Sequence, residues 1–483
     1  MTHIRLLSVV SAALLFAVGC DTRKEQSEFR IAEIDAVFAE WDKPGSPGCG
    51  LAVAQHGELM YSRGYGYANL DYDIPITSQT VFDVASVTKQ FNAASLTMLA
   101  LEGKLLLDDD VRKWLPELPA YESTITLRHM IHHTSGLRDY LTLFPLAGRD
   151  DYFPISHPQI LAMMSRQRAP NFAPGERYEY SNTAYMLLAQ VVERASGQTM
   201  GKFTKERIFD PLGMTGSRMY ENREEIIPHR SIGYDIGEDG TSRIVHNYNF
   251  DVAGDGQLYS TMEDLLRWDN YLHGAANPAI HAAMLTAGTT NDGELTGYAQ
   301  GLRLDEYRGL QRVGHGGSSW GFRTEIVRYL DSDLSIALSC NFNAANPQQL
   351  ARQVAEHYLS NEMQPEVDSD DDESAGQGTG QNNEIPGPNV AQLVAYTGDF
   401  YSAELDATYR FTVLNEDLVV HIEQQPPIQV RSVAVDAFDF QFHPDGWSGP
   451  TTVLLEFKRD GSGGVNGIAL SAGSERGIVF ERI

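Results

Sequence analysis

From Glu366 to Pro388 the chain has too little apolar surface to fold: Val367-Asp368-Ser369-Asp370-Asp371-Asp372-Glu373-Ser374 gives way to Gly, Gln, Thr and Asn. A stretch of that composition cannot repay the entropy of ordering itself. An acidic linker over residues 363–389 therefore predicts two separate bodies, 21–362 and 390–483, each with its own core.

The second body is the simpler to read. Tyr409/Phe411/Val413, Leu418/Val420/Ile422, Phe438/Phe440/Phe442 and Val453/Leu455/Phe457 alternate with period two, and turn residues separate them. That pattern predicts a small all-β barrel or sandwich.

The first twenty residues stand apart. His3 and Arg5 precede an apolar run from Leu6 to Val18 and the end Ala17-Val18-Gly19-Cys20. The run is too short to span a bilayer and has the layout of a secretory signal. Its end resembles the lipobox of bacterial lipoproteins, which would leave a lipid on Cys20 and attach the chain to a membrane. Ala17 stands where that pattern prefers Leu, and cleavage as an ordinary signal is the alternative. Either way the chain is expected to be exported, to the periplasm or the surface of a bacterial envelope. A formal charge of −28 argues against nucleic acid or an anionic membrane surface as partner.

Within residues 21–362, Ile31, Ile34, Val37 and Phe38 share one face of an amphipathic segment, and 48–55 and 59–67 read as a hairpin around His56-Gly57. A helix then begins at Ser86-Val87-Thr88-Lys89 and ends at Gly103. Residues i and i+3 share a helix face, so the Lys89 amine can reach the Ser86 hydroxyl. The unpaired N–H groups of a helix start favour negative charge beside that hydroxyl. Serine is a poor nucleophile until a base takes its proton, and Lys89 serves only if burial depresses its pKa.

Three further segments contain chemically capable residues. His129, His132 and His133 have spacing that invites a zinc reading, but no acidic third ligand accompanies them, and capping of the loop turned by Gly136 is the reading preferred. Pro174-Gly175 followed by Tyr180-Ser181-Asn182 puts Tyr180 and Asn182 at a loop tip before a helix, where Ser181 or Asn182 would also serve as cap. In Gly314-His315-Gly316-Gly317-Ser318, glycines allow a backbone to approach a ligand closely, although His315 would equally suit a strand as a satisfied histidine.

Taken in order, Phe82-Asp83-Val84-Ala85-Ser86-Val87-Thr88-Lys89, His133-Thr134-Ser135-Gly136-Leu137, Pro174-Gly175 with Tyr180-Ser181-Asn182, Ser260-Thr261-Met262-Glu263-Asp264-Leu265 and His315-Gly316-Gly317 resemble the serine hydrolases that include class C β-lactamases, DD-peptidases and related esterases. The resemblance covers residues 45–360 and implies an α+β fold: a five-stranded antiparallel sheet flanked by helices, plus an all-helical subdomain. It also implies an acyl-enzyme on Ser86, with Lys89 and Tyr180 sharing the proton transfers and a Tyr180 phenolate held by the lysine charge. Asn182 would bind the substrate amide or Lys89. The N–H groups of Ser86 and Ser318 would form an oxyanion hole, about 3–4 kcal/mol per donor in comparable enzymes, with His315 and Gly317 lining the substrate. The 390–483 body resembles the lipocalin-like barrels appended to some members, with a role either in covering the cleft or in docking a partner.

No cofactor or metal is implied. The expected substrate is a small ester, amide or peptidoglycan-like molecule. True β-lactamases of this type carry Lys-Thr-Gly where this chain has His315-Gly316-Gly317, and a mostly neutral histidine is a weaker partner for a substrate carboxylate. Hydrolysis of an ester or a D-amino-acid amide is therefore preferred over β-lactam turnover, and a catalytically silent binding protein is the third alternative. In the implied sheet the runs holding Cys49 and Cys340 are antiparallel neighbours, so either a disulfide or two buried thiols would fit.

Overall fold

The computed structural model describes residues 29–149, 153–237, 239–245, 250–274, 277–365, 388–423, 425–442 and 451–483. The leader, Cys20 and nearly all of the acidic linker lie outside them.

The first body is built on one antiparallel sheet. Its strands are β1 (Cys49–Gln55), β2 (Glu58–Tyr65), β3 (Arg303–Tyr307), β4 (Leu310–Ser319), β5 (Phe322–Tyr329) and β6 (Leu334–Cys340), in the order β3-β4-β5-β6-β1-β2. The expected five strands are thus joined by a sixth, β3, an edge strand with few buried residues to mark it in the sequence. Both faces of the sheet are covered. Leu51 and Val53 point to one layer with Ile34, Phe38, Leu350 and Val354, while Ala52 points to the other with Phe82, Leu265 and Trp268. This two-sided burial shows in β6, where every residue is buried, Ser335 and Ser339 included.

The helices that matter are α1 (Thr88–Leu101), α2 (Asn182–Ser196), α3 (Met262–His273) and α4 (Pro347–Leu359). Ser181 caps α2 by accepting from Ala184 N at 3.2 Å, and Thr261 caps α3 by accepting from Asp264 N at 3.2 Å. A first-turn cap of this kind contributes about 1 kcal/mol. In α1 every residue from Thr88 to Leu99 is buried, so the helix is enclosed on all sides rather than presenting one apolar face to the core.

Cys49 and Cys340 are register partners across β1 and β6, and the structure joins them by a disulfide. Of the two alternatives left by the sequence, the cross-link is the one present.

Among the described residues the second body has nine strands: β7 (Gly398–Ser402), β8 (Ala407–Leu414), β9 (Asp417–Ile422), β10 (Ile428–Gln429), β11 (Arg431–Ala434), β12 (Ala437–Phe442), β13 (Thr451–Arg459), β14 (Val465–Ala472) and β15 (Glu475–Arg482). They run in the order β10-β9-β8-β7-β15-β14-β13-β12-β11. The two edge strands are separated only by Val430, so the sheet must curl until it nearly closes. Aromatic rings fill the inside: Phe457 lies 5.2 Å from Phe411, 5.5 Å from Phe438 and 5.7 Å from Phe400, centroid to centroid.

Candidate active site

Ser86 sits in a single 3-10 turn, Ala85–Val87, that runs straight into α1. The turn is strained, because Ala85 has φ +49° in the left-handed region that disfavours a side chain. A buried carboxylate holds it there: Asp83 Oδ1 accepts from Ala85 N at 2.9 Å, and Ser319 Oγ donates to Asp83 Oδ2 at 3.1 Å. Thr88 Oγ1 donates to the Ala85 carbonyl at 2.6 Å and accepts from Leu258 N at 3.0 Å, closing the other side.

Lys89, fully buried, points back along the same face. Its Nζ lies 3.1 Å from Ser86 Oγ, 2.9 Å from Asn182 Oδ1 and 2.8 Å from the Asp255 carbonyl oxygen. Burial pushes the amine down to about 8, although the carboxylates of Asp255 and Asp139 oppose the shift. Once neutral, the amine has two hydrogens and one lone pair. Two carbonyl-type oxygens, which can only accept, take both hydrogens, so the lone pair is left facing Ser86 Oγ.

Tyr180 completes the group from the loop before α2. Its hydroxyl is close enough to Ser86 to interact with it, and its ring centroid lies 4.8 Å from Lys89 Nζ. Burial raises its pKa above that of a free tyrosine, which favours the phenol over the phenolate in the unliganded site. His133, with φ +57°, stacks on Tyr180 at 4.3 Å and accepts from Ser181 N at 3.1 Å through Nδ1. Of the other two histidines of that segment, His129 closes a capping box with Thr126.

His315 lies behind Tyr180, with ring centroids 6.1 Å apart. Its Nδ1 is 2.5 Å from the Gly316 carbonyl, so it must carry the proton, leaving Nε2 to accept from Tyr298 OH at 3.0 Å. Burial and the nearby Lys89 charge push it down to about 3, and the ring is neutral at any ordinary pH. Gly317 is pressed against the nucleophile turn: a Cβ there would stand 2.3 Å from the Val84 carbonyl. Ser318, opposite Arg323 in the β4–β5 hairpin, follows directly.

All seven residues predicted from the sequence meet around one region, and six of them line a cavity of about 690 Å³: Ser86, Tyr180, Asn182, His315, Gly317 and Ser318. Lys89 lies beneath it. Sequence reading missed Asp83, Asp139, Asp255, Tyr298 and Arg303. Asp139 accepts from Asn182 N at 2.6 Å, and Asp255 accepts from Tyr140 OH at 3.1 Å through its carboxylate. Arg303 lines the cavity without an ion pair among the described residues. Asp83 is a sequence neighbour of the serine, whereas only folding brings Asp139, Asp255, Tyr298 and Arg303 to it.

The sequence profile of the beta-lactamase family matches residues 34–359. The chain belongs to the beta-lactamase family. Membership places it among serine-hydrolase-type enzymes. Penicillin-binding protein 4* of Bacillus subtilis (strain 168) is 31% identical over 324 residues, 64% of this chain and 71% of that one. A D-aminopeptidase of Gluconobacter oxydans (strain 621H) is 28% identical over 327 residues, 67% of this chain and 61% of the relative, so the match spans less than two thirds of that enzyme. Among solved structures, a penicillin-binding protein homologue from Pyrococcus abyssi superposes with TM-score 0.58 at 21% identity, covering 95% of this chain and 99% of that one. At that identity the likeness is one of fold, and it extends across both bodies.

The barrel of this family member grips the loop behind the site rather than the site itself. Arg138 and Glu404 form a buried ion pair, Arg138 Nη1 to Glu404 Oε1 at 2.6 Å, and Glu404 Oε1 also accepts from Arg168 N at 2.9 Å. Asp139 N donates to Glu475 Oε1 at 3.1 Å, and Asn171 Nδ2 donates to Glu475 Oε2 at 3.0 Å. Among the described residues no barrel side chain lines the cavity. Of the two roles considered for the barrel, covering the cleft is therefore not what the described residues do.

Proposed function

We propose that this protein is an exported serine hydrolase that cleaves an ester or an amide, a D-amino-acid peptide or a carboxylester, through an acyl-enzyme on Ser86. The observation that carries the reading is a buried, depressed lysine whose lone pair faces the serine oxygen at 3.1 Å in an open cavity. Lys89 takes the hydroxyl proton as Ser86 attacks the carbonyl, and the Tyr180 phenol relays a proton to the departing group. The N–H groups of Ser86 and Ser318 receive the oxyanion, and Asn182 holds Lys89 in place while its amide remains at the cavity wall. The similarity to a D-aminopeptidase and to penicillin-binding protein 4* supports a D-configured amide substrate.

Arg303 favours a second reading alongside the first. Neutral His315 offers no charge to a substrate carboxylate, but the exposed guanidinium of Arg303 at the same cavity does. β-Lactams would then acylate the enzyme, with turnover a side activity. Export is supported by the leader-like first twenty residues and by the disulfide, a bond that persists in oxidising compartments. Lipid attachment at Cys20 rests on the sequence before it.

The test is a panel of p-nitrophenyl esters, D-alanyl amides and nitrocefin, with fluorophosphonate labelling of wild type and Ser86→Ala. Ester or amide turnover with labelling abolished in the variant supports the reading. Equal labelling of the two proteins would show that the nucleophile is elsewhere. Palmitate incorporation that disappears in Cys20→Ala would establish the anchor, and secretion of an unlipidated chain would replace it with a plain signal.

A further inference from the structure

Strand β3 pairs with β4 only as far as Arg303 opposite Gly314, so residues His315 to Ser319 present a free edge to the cavity. Side chains alternate across a strand. His315 and Gly317 face the serine, and Gly316 therefore faces the other side of the sheet.

Opposite Gly316 in the register stands Glu325. Its carboxylate lies over the space a side chain at 316 would fill, since a Cβ built there would be 3.0 Å from Glu325 Oε2. Glu325 is 8% exposed and lines the cavity, yet among the described residues it makes neither a hydrogen bond nor an ion pair. Of the cations that act on it through space, Arg312 is already engaged by Asp305 through two bonds of 2.8 and 2.7 Å, and Arg303 acts on it without forming an ion pair. The Arg323 guanidinium donates instead to the Phe322 carbonyl at 2.8 Å, and Arg352 stacks on Tyr307 at 4.8 Å. Burial raises Glu325 to about 7.

A largely buried carboxyl that faces a cavity with no protein partner is a ready acceptor for a cationic group of whatever fills that cavity. The Tyr180 phenol must reach the departing atom, which places the leaving group on the Tyr180–His315 side of Ser86. A leaving group laid along the free edge of β4 projects its next substituent behind the strand, toward Glu325.

We infer that the cavity continues around the edge of β4 into a second subsite in which Glu325 receives a primary ammonium carried on the leaving group of the substrate. The subsite rests on the hydrolase reading above and names one feature of its substrate. Arg303 and Arg323 flank it, so an amine close to a carboxylate fits better than a bare polyamine.

The experiment uses two N-acetyl-D-alanyl esters of equal size, with 4-(aminomethyl)phenol and 4-ethylphenol as leaving groups, and a third whose amine is acetylated. Values of kcat/KM are divided by the hydroxide-catalysed rates to remove leaving-group chemistry. Wild type is expected to prefer the ammonium ester at least tenfold over the ethyl ester, with acetylation abolishing the preference. In Glu325→Gln the ratio should collapse to within about twofold. Equal wild-type rates on all three esters, an acetylated ester as good as the ammonium, or a preference that survives in Glu325→Gln would each overturn the subsite. The wild-type comparison stands even if the variant fails to fold. Ser86-dependent turnover of the ethyl ester tests the hydrolase reading separately, so either idea can fail without the other.

Discussion

A single amine decides how this site works at neutral pH. Free lysine is protonated to above pH 10, and burial moves Lys89 to about 8 while two nearby carboxylates hold it from falling further. If neutral Lys89 is the base, kcat/KM for an ester rises with pH through a limb near 8, well below that of an ordinary lysine. A pH profile with no limb between 7 and 9.5 would assign proton removal to another group. Lys89→Ala should lower acylation by several orders of magnitude, with little change in the circular dichroism spectrum, because general-base catalysis and the lost hydrogen bonds to Ser86 and Asn182 disappear together. The cost is measured as the rate of fluorophosphonate labelling.

Between elements, the constraint is how closely β4 approaches the nucleophile turn. Gly317 is there because a side chain would enter the Val84 carbonyl, so Gly317→Ala must push the strand edge away from Ser86. A displacement of even 1 Å at a reacting geometry costs on the order of 100-fold in rate. The expected result is a fall of about that size in kcat/KM with a melting temperature lowered by only a few degrees. Wild-type kinetics in the variant would mean the edge takes no part in positioning the substrate. The strained Ala85 turn works the same way. Its left-handed backbone persists because Asp83 answers its N–H and Ser319 answers Asp83, which ties the turn to the same strand.

Across the molecule, the two bodies are joined by buried polar contacts that neither would tolerate alone. Arg138 and Glu404 are 4% and 1% exposed at their side chains. Removing one partner of a buried pair leaves an uncompensated charge, about 3–5 kcal/mol. Glu404→Ala should therefore lower stability by roughly that much, read from urea denaturation of the full chain. Glu475 adds a pH dependence. Burial and the neighbouring Asp139 raise its carboxyl from 4.5 to about 7. A raised carboxyl binds its proton more tightly folded than unfolded, so its favourable contribution is complete below pH 4.5 and is lost as pH rises through about 7. Glu475→Gln should flatten the decline in melting temperature between pH 5 and 8, and an identical slope in both proteins would show that this carboxyl does not titrate across that window.

Much of this was legible in the chain. The i to i+3 spacing of Ser86 and Lys89 and the loop-tip placing of Tyr180 and Asn182 are local properties of the chain, and it is the ordered set of motifs resembling the serine hydrolases that gave those four residues their roles. The barrel was legible for the same reason, since period-two alternation depends only on neighbours. The protonation states were not. Lys89 becomes a base, Tyr180 a phenol and His315 a neutral ring because of burial and charges contributed by residues tens to hundreds of positions away, as Asp255 is from Lys89. Nor could spacing reveal that Glu475 reaches the loop behind Asn182, or that Glu325 is left without a partner. Sequence determined which chemical groups the molecule possesses and which short segments they stand on. Only the tertiary structure decided their dielectric surroundings and their partners, because both are set by contacts between segments distant in the chain.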